Sequence, residues 1–165
     1  MENMESINKF RELMAEFSQN IEIPAIQPSR IDAFINPADL VPAVKKLHDS
    51  DWGYLITISA YDTVDDQGTP QIGLVYHFGE REIIGSIRFF LPYDQLTIES
   101  ICPVIPSATL YERECMELYG IDIIDTPDRS RLLIPDDWPE DVFPMRKSFI
   151  SLDQSQPAEN GENHD

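Results

Sequence analysis

Tyr54-Leu-Ile-Thr-Ile-Ser-Ala-Tyr61, Gln71-Ile-Gly-Leu-Val-Tyr-His-Phe78 and Glu82-Ile-Ile-Gly-Ser-Ile-Arg-Phe-Phe-Leu91 decide the fold. Each is a short run rich in β-branched and aromatic side chains, and turn clusters, Asp65-Asp-Gln-Gly68 and Gly79-Glu-Arg81, separate them. Connections this short join antiparallel neighbours. Leu96 to Ser100 reads as a short additional edge strand. On the N-terminal side the period changes. Asn36-Pro37-Ala38-Asp39 is a helix start, with Asn as cap, Pro in the first turn and Asp at the positive end of the dipole, and the helix should run to about His48. Further out, Ile7, Phe10, Leu13, Met14 and Phe17 recur at helical spacing and predict a helix over 5–19, able to cover its own sheet or to dock on a partner.

On the C-terminal side, Thr109-Leu-Tyr-Glu112 fits a capping box that opens a helix through Leu118, with Gly120 as its stop. Pro and Asp dominate the stretch beyond Gly120, which reads as irregular. The expected architecture is α+β: N-terminal helices on a small antiparallel sheet of three to four strands, then one helix and an irregular C-terminal extension. The chain divides into 1–29 (helix and linker), 30–150 (the main domain) and 151–165 (an acidic tail expected to be disordered, since it lacks large apolar groups from Asp153 on).

Thirty acidic residues against twelve basic give a net charge of −18 over 165 residues. Nucleic acid is excluded as a partner, because phosphate binding needs a surplus of Lys and Arg. An anionic membrane surface would repel the chain, whereas a basic protein partner is compatible with it. No apolar run is long enough to span a bilayer, and the acidic N-terminus carries no signal core, so a cytoplasmic location is expected. Cys102 and Cys115 match no zinc or cluster spacing and read as reduced thiols.

The densest charge lies between 109 and 147. Glu112, Arg113, Glu114 and Glu117 load one helix; Asp128, Arg129, Arg131 and Asp136 come next, then Trp138, Arg146 and Lys147. Five of the twelve basic residues fall here. A catalytic carboxylate pair is disfavoured, because Glu112 and Glu114 diverge by about 200° around a helix. A metal site is disfavoured by the lack of His and of converging carboxylates. The favoured reading pairs the carboxylates with the arginines, fixing a loop-built surface. Trp138 either anchors a partner or packs on its own loop.

Tyr111-Glu-Arg-Glu114, Leu118-Tyr-Gly-Ile121, Arg131-Leu-Leu-Ile-Pro-Asp-Asp-Trp138 and Pro144-Met-Arg-Lys147, with Ile56-Thr-Ile-Ser-Ala-Tyr-Asp62 and Val75-Tyr-His-Phe78 upstream, resemble the 30-kDa subunit of respiratory complex I, the NADH-quinone oxidoreductase of bacteria. The resemblance covers roughly residues 30 to 150. It implies a non-catalytic subunit of the peripheral arm, on the inner face of the cell membrane. Its partners would be the large 49-kDa-type, hydrogenase-like subunit that shapes the quinone site, and neighbouring iron–sulfur subunits. It implies no cofactor in this chain; iron–sulfur clusters, with FMN or a nickel–iron centre, belong to partner subunits. Two features depart from the family. Thr126-Pro127-Asp128 stands where members show His-Pro-Asp, and Trp138-Pro-Glu-Asp-Val-Phe-Pro144 is longer than the usual link. The longer link is similar to the corresponding subunit of energy-converting membrane-bound hydrogenases. Rival readings are an independent enzyme using Glu112 and Glu114, and a free-standing acidic protein-binding module.

Overall fold

The computed structural model of the chain describes residues 2–27 and 29–152. The tail from Asp153 on, expected to be disordered, lies outside the described residues. The elements are α1 (Glu2–Met14), β1 (Ser18–Glu22), β2 (Arg30–Ile35), α2 (Leu40–Asp49), β3 (Tyr54–Val64), β4 (Pro70–Glu80), β5 (Ile83–Pro92), β6 (Thr97–Glu99), α3 (Thr109–Tyr119) and β7 (Asp122–Ile124). The class is α+β, as the sequence implies. The three expected strands form β3, β4 and β5, joined antiparallel in sequence order.

The sheet is larger and less regular than expected. It has five strands in the order β1-β2-β5-β4-β3, and β2 runs parallel to β5. The extra strands lie in and just beyond the stretch read as helix and linker. The N-terminal helix ends at Met14 rather than 19, and Ser18-Gln-Asn-Ile-Glu22 turns back as the edge strand β1, mostly exposed and therefore without an apolar alternation to announce it. In β2, Ile31, Ala33 and Ile35 point into the core while Arg30, Asp32 and Phe34 take the opposite face. The expected edge strand near 96–100 exists as β6, but it pairs in parallel with β7 in a separate two-stranded sheet. Asn36 makes no side-chain cap; a single 3-10 turn over Pro37–Asp39 intervenes, and α2 begins at Leu40.

One face of the five-stranded sheet carries the core. Tyr76, Phe78, Leu74, Ile87 and Phe89 lie there, with Ile31 and Ala33 from β2. Phe10 and Met14 of α1 are fully buried, and each such side chain contributes roughly 2 kcal/mol of burial. The Trp52 ring sits 4.7 Å from that of Phe10, and its indole N–H donates to the Ser6 carbonyl at 3.0 Å. Both rings press on Gly85, where a Cβ would stand 2.5 Å from each. That close approach brings α1 down onto β5. Through α3, the same face also supports the charged segment.

Candidate functional site

α3 does not open with a capping box. The 3-10 turn Pro106–Ala108 runs straight into it, and the Thr109 backbone N–H is already bonded to the Pro106 carbonyl. Glu112 therefore has no donor to reach back for. Instead its side chain, fully buried, turns to the preceding loop. Its two oxygens accept from the Ser100 hydroxyl at 3.0 and 2.8 Å, from the Ile101 N–H at 2.9 Å and from the Cys102 thiol at 3.2 Å. Ser100 in turn accepts the Cys102 N–H at 3.0 Å. The expected pairing of Glu112 with an arginine is thus overturned: its oxygens meet neutral donors. The pattern is that of a buried polar group satisfied locally, which holds the 100–102 turn on the helix.

The arginines act mainly on carbonyls. Arg113 donates to the carbonyls of Ser130 (2.8 Å) and Arg131 (2.8 Å) and pairs with Asp128 at 3.1 Å. Arg129 bonds the Ile123 carbonyl at 2.9 Å and pairs with Asp122. Arg131 caps the carbonyls of Pro135, Asp136 and Trp138, the last at 2.8 Å. Asp136 takes part through its backbone, not its carboxylate. The Trp138 indole donates to Val142 and its ring lies 5.9 Å from Phe149, so it packs on its own loop. The Arg146 guanidinium lies against the rings of Phe143 (4.3 Å) and Tyr93 (4.9 Å) and donates to the Tyr119 carbonyl. Lys147 contributes its backbone N–H, bonded to Asp62 at 2.7 Å. Glu114 is half-buried.

Three residues make contacts that the sequence reading did not assign to them. Glu117, one turn beyond Arg113 on α3, accepts the backbone N–H groups of Leu132, Leu133 and Ile134. Asp62 on β3 takes both the Tyr93 hydroxyl (2.6 Å) and Lys147. Gly120 serves as the α3 stop at φ 70°, and it also leaves room for Phe143 and Arg146, which a Cβ would meet at 2.5 and 2.6 Å. None of these links obeys a sequence spacing, because each joins elements brought together only by the fold. Together they pin residues 126–152, which contain no strand and no regular helix, onto α3 and β3.

Electrostatics in the site reflect burial. Burial pushes Cys115 up to about 12, with Glu114 and Glu112 adding to the effect. Burial likewise raises the Cys102 thiol, opposed by Ser100. Tyr93 is raised to about 12 by desolvation and then by its bond to Asp62. The two Ser130 hydrogen bonds hold Asp128 below the usual carboxylate range, ahead of Arg113. Thr126 lies buried against Cys102, so it adjoins the Glu112 pocket. A groove of about 520 Å³ runs between α3 and the loop, lined by Glu117, Arg129, Arg131 and Trp138 among others. Among the described residues, no group of three or more His, Cys, Asp or Glu side chains is placed to hold a metal ion, and no helix is long and apolar enough to cross a membrane.

These features define a small α+β protein whose conspicuous site is a loop surface pinned onto α3 and β3. Residues 33–155 match the family described as the respiratory-chain NADH dehydrogenase 30 kDa subunit, and the chain belongs to that family. NAD(P)H-quinone oxidoreductase subunit J of Prochlorococcus marinus (strain AS9601) is 33% identical over 128 residues, 72% of this chain and 70% of that protein. Hydrogenase-4 component G of Escherichia coli (strain K12) is 39% identical over 64 residues, 39% of this chain; the matched part is only 12% of that relative's length. A chain in the structure of the membrane-bound sulfane sulfur reductase, an archaeal respiratory membrane complex, shares the fold with TM-score 0.70 at 15% identity, covering 97% of this chain and 96% of that one.

Proposed function

We propose that the chain is a non-catalytic peripheral-arm subunit of a complex I-like quinone-reducing oxidoreductase, and that residues 126–152 dock on the large, 49-kDa-type subunit. Its role is positional: it holds that partner relative to neighbouring iron–sulfur subunits so that electrons pass among cofactors carried by them. FMN, clusters or a nickel–iron centre reside in those partners, and the complex sits at the inner face of the membrane.

One observation carries this reading. The segment 126–152 is fixed by its own arginines and by Glu117, yet it turns apolar side chains to solvent: Leu133 is 57% exposed, Met145 53% and Ile150 74%, with Leu132 and Leu152 also uncovered. A rigid loop surface with exposed aliphatic side chains in so acidic a chain is the signature of a protein-binding site. The catalytic alternative is disfavoured by the same geometry, since Glu112 is sealed beneath the surface and does not converge with Glu114.

The test is affinity purification of the tagged full chain from a mild-detergent extract. The large subunit should travel with it, and Leu133→Asp with Ile150→Asp should release it. A lone monomer in the parent would overturn the proposal. A second reading, an energy-converting hydrogenase, is favoured by the likeness to hydrogenase-4 component G. Nickel in the purified complex would select it.

A further inference from the structure

The sheet has a second face, which no part of the proposed docking segment uses. Opposite the core, it presents Arg30, Asp32 and Phe34 from β2, Ile84, Ser86, Arg88 and Phe90 from β5, and Val75 and His77 from β4. Beside them stand Tyr54, Ile56 and Tyr61 of β3. A largely antiparallel sheet with one face open to water should alternate apolar-in with polar-out. This one departs from that rule: Tyr54 is 69% exposed, Ile84 40%, Ile56 37% and Phe90 36%.

The side chains are organised. Tyr61 lies over Gly73, where a Cβ would come within 2.3 Å of its ring, and meets Phe90 edge-on at 6.3 Å across the intervening strand. Arg88 lies 5.6 Å from the Phe34 ring. The charges are layered. Asp32 is buried and accepts from Arg30 at 2.8 Å and Arg88 at 3.1 Å, while the two arginine side chains are 23% and 25% exposed against 4% for the carboxylate. The middle of this face therefore shows water two guanidinium groups and aromatic edges, in a chain of net charge −18. Among the described residues, lysine is absent from the face, and the other carboxylates near it are Glu22 on the edge strand and Glu82 at the β4–β5 turn. Aromatics and Arg enriched, Lys and carboxylates depleted: that is the composition of an interface centre, not of a solvated surface. A second copy is a poor occupant, because two chains of this charge repel.

We infer that this uncovered sheet face is a second docking surface, which takes a different protein whose contacting face is aliphatic and bears a carboxylate opposite Arg30 and Arg88. The inference rests on the reading of the chain as a subunit and extends it: with residues 126–152 on one side and this face on the other, the chain bridges two neighbours.

The experiment uses the assembled complex containing the full chain. A photo-crosslinking benzoylphenylalanine is placed at Phe90 in one variant and at Leu133 in another. The Phe90 probe should join a polypeptide other than this chain, within a few residues of an Asp or Glu, and the Leu133 probe a different surface. Ile84→Asp, at an exposed position, should reduce retention of the Phe90-linked partner by roughly tenfold while leaving the thermal midpoint of the chain unchanged. Phe90 crosslinks confined to this chain, to a second copy, or to a segment without carboxylates would overturn the inference, as would full retention by Ile84→Asp. A failure of the subunit reading is recognised separately, by loss of crosslinks from Leu133 as well.

Discussion

Removing the Glu112 carboxylate tests the site at its most informative atom. Glu112→Ala strands the Ile101 N–H and deprives the Ser100 hydroxyl and the Cys102 thiol of their acceptor, all in a buried pocket. Each stranded donor costs about 1–3 kcal/mol. Ser100 can rotate to lessen its share, and removing a buried polar group returns part of its desolvation cost. The net expectation is about 3 kcal/mol, which for a domain of this size lowers the melting midpoint by roughly 6–12 °C. Glu112→Gln preserves shape but turns an amide N–H₂ toward a donor, and should lose about 2 kcal/mol. The assay is thermal or urea unfolding of the isolated full chain, monitored by far-ultraviolet dichroism. The reasoning is refuted if Glu112→Gln melts within about 1 °C of the parent, or if Glu112→Ala is as stable as the parent yet loses its partner. The second result would move Glu112 from the interior to the interface.

Other expectations rest on the same geometry. Gly120→Ala, at φ 70° and against Phe143 and Arg146, should lose about 1–2 kcal/mol and expose residues 143–150 to limited proteolysis, read by mass spectrometry of the cleaved fragments. Arg131→Ala frees the carbonyls of Pro135, Asp136 and Trp138; the 131–138 loop should be nicked faster while the global melt moves by less than about 1 kcal/mol, because the loop opens locally. Both thiols should resist a disulfide reagent at neutral pH in the folded chain and react fully in guanidinium, since burial disfavours their thiolates. Tyr76, Tyr93 and Tyr119 are all raised, so three of the six tyrosines should ionise late in an ultraviolet titration of the phenolate band. A raised phenol stabilises the fold below its unfolded value near 10 and loses that contribution as pH climbs through about 12.

The sequence revealed β3, β4 and β5 because their β-branched runs are long and bounded by turn residues. β1 and β2 escaped notice for the opposite reason. Ser18-Gln-Asn-Ile-Glu22 is an exposed edge, and Arg30 and Asp32 look like loop residues until Arg88 arrives from β5 to share the carboxylate. The charge density of 109–147 was visible, as was the idea of arginines fixing a loop. Their targets were not, because Arg113, Arg131 and Arg146 reach mostly for backbone carbonyls, and every residue has one. Thr109 and Glu112 carry the spacing of a capping box, but a local pattern cannot know that the Pro106 carbonyl already holds the N–H in question.

The parallel pairing of β2 with β5 sets an order of events during synthesis. Arg30 meets Ile84 and Phe34 meets Arg88, so β2 needs a neighbour that is translated long after it. At about 5–20 residues per second the wait lasts roughly 3–10 s. Throughout it the β1–β2 hairpin has an open edge, and a lone hairpin is marginal in water. A part of the sheet that is made early is therefore among the last to be secured. A ribosome stalled before Leu91 would hold out an unfinished sheet edge to any protease or sticky strand nearby.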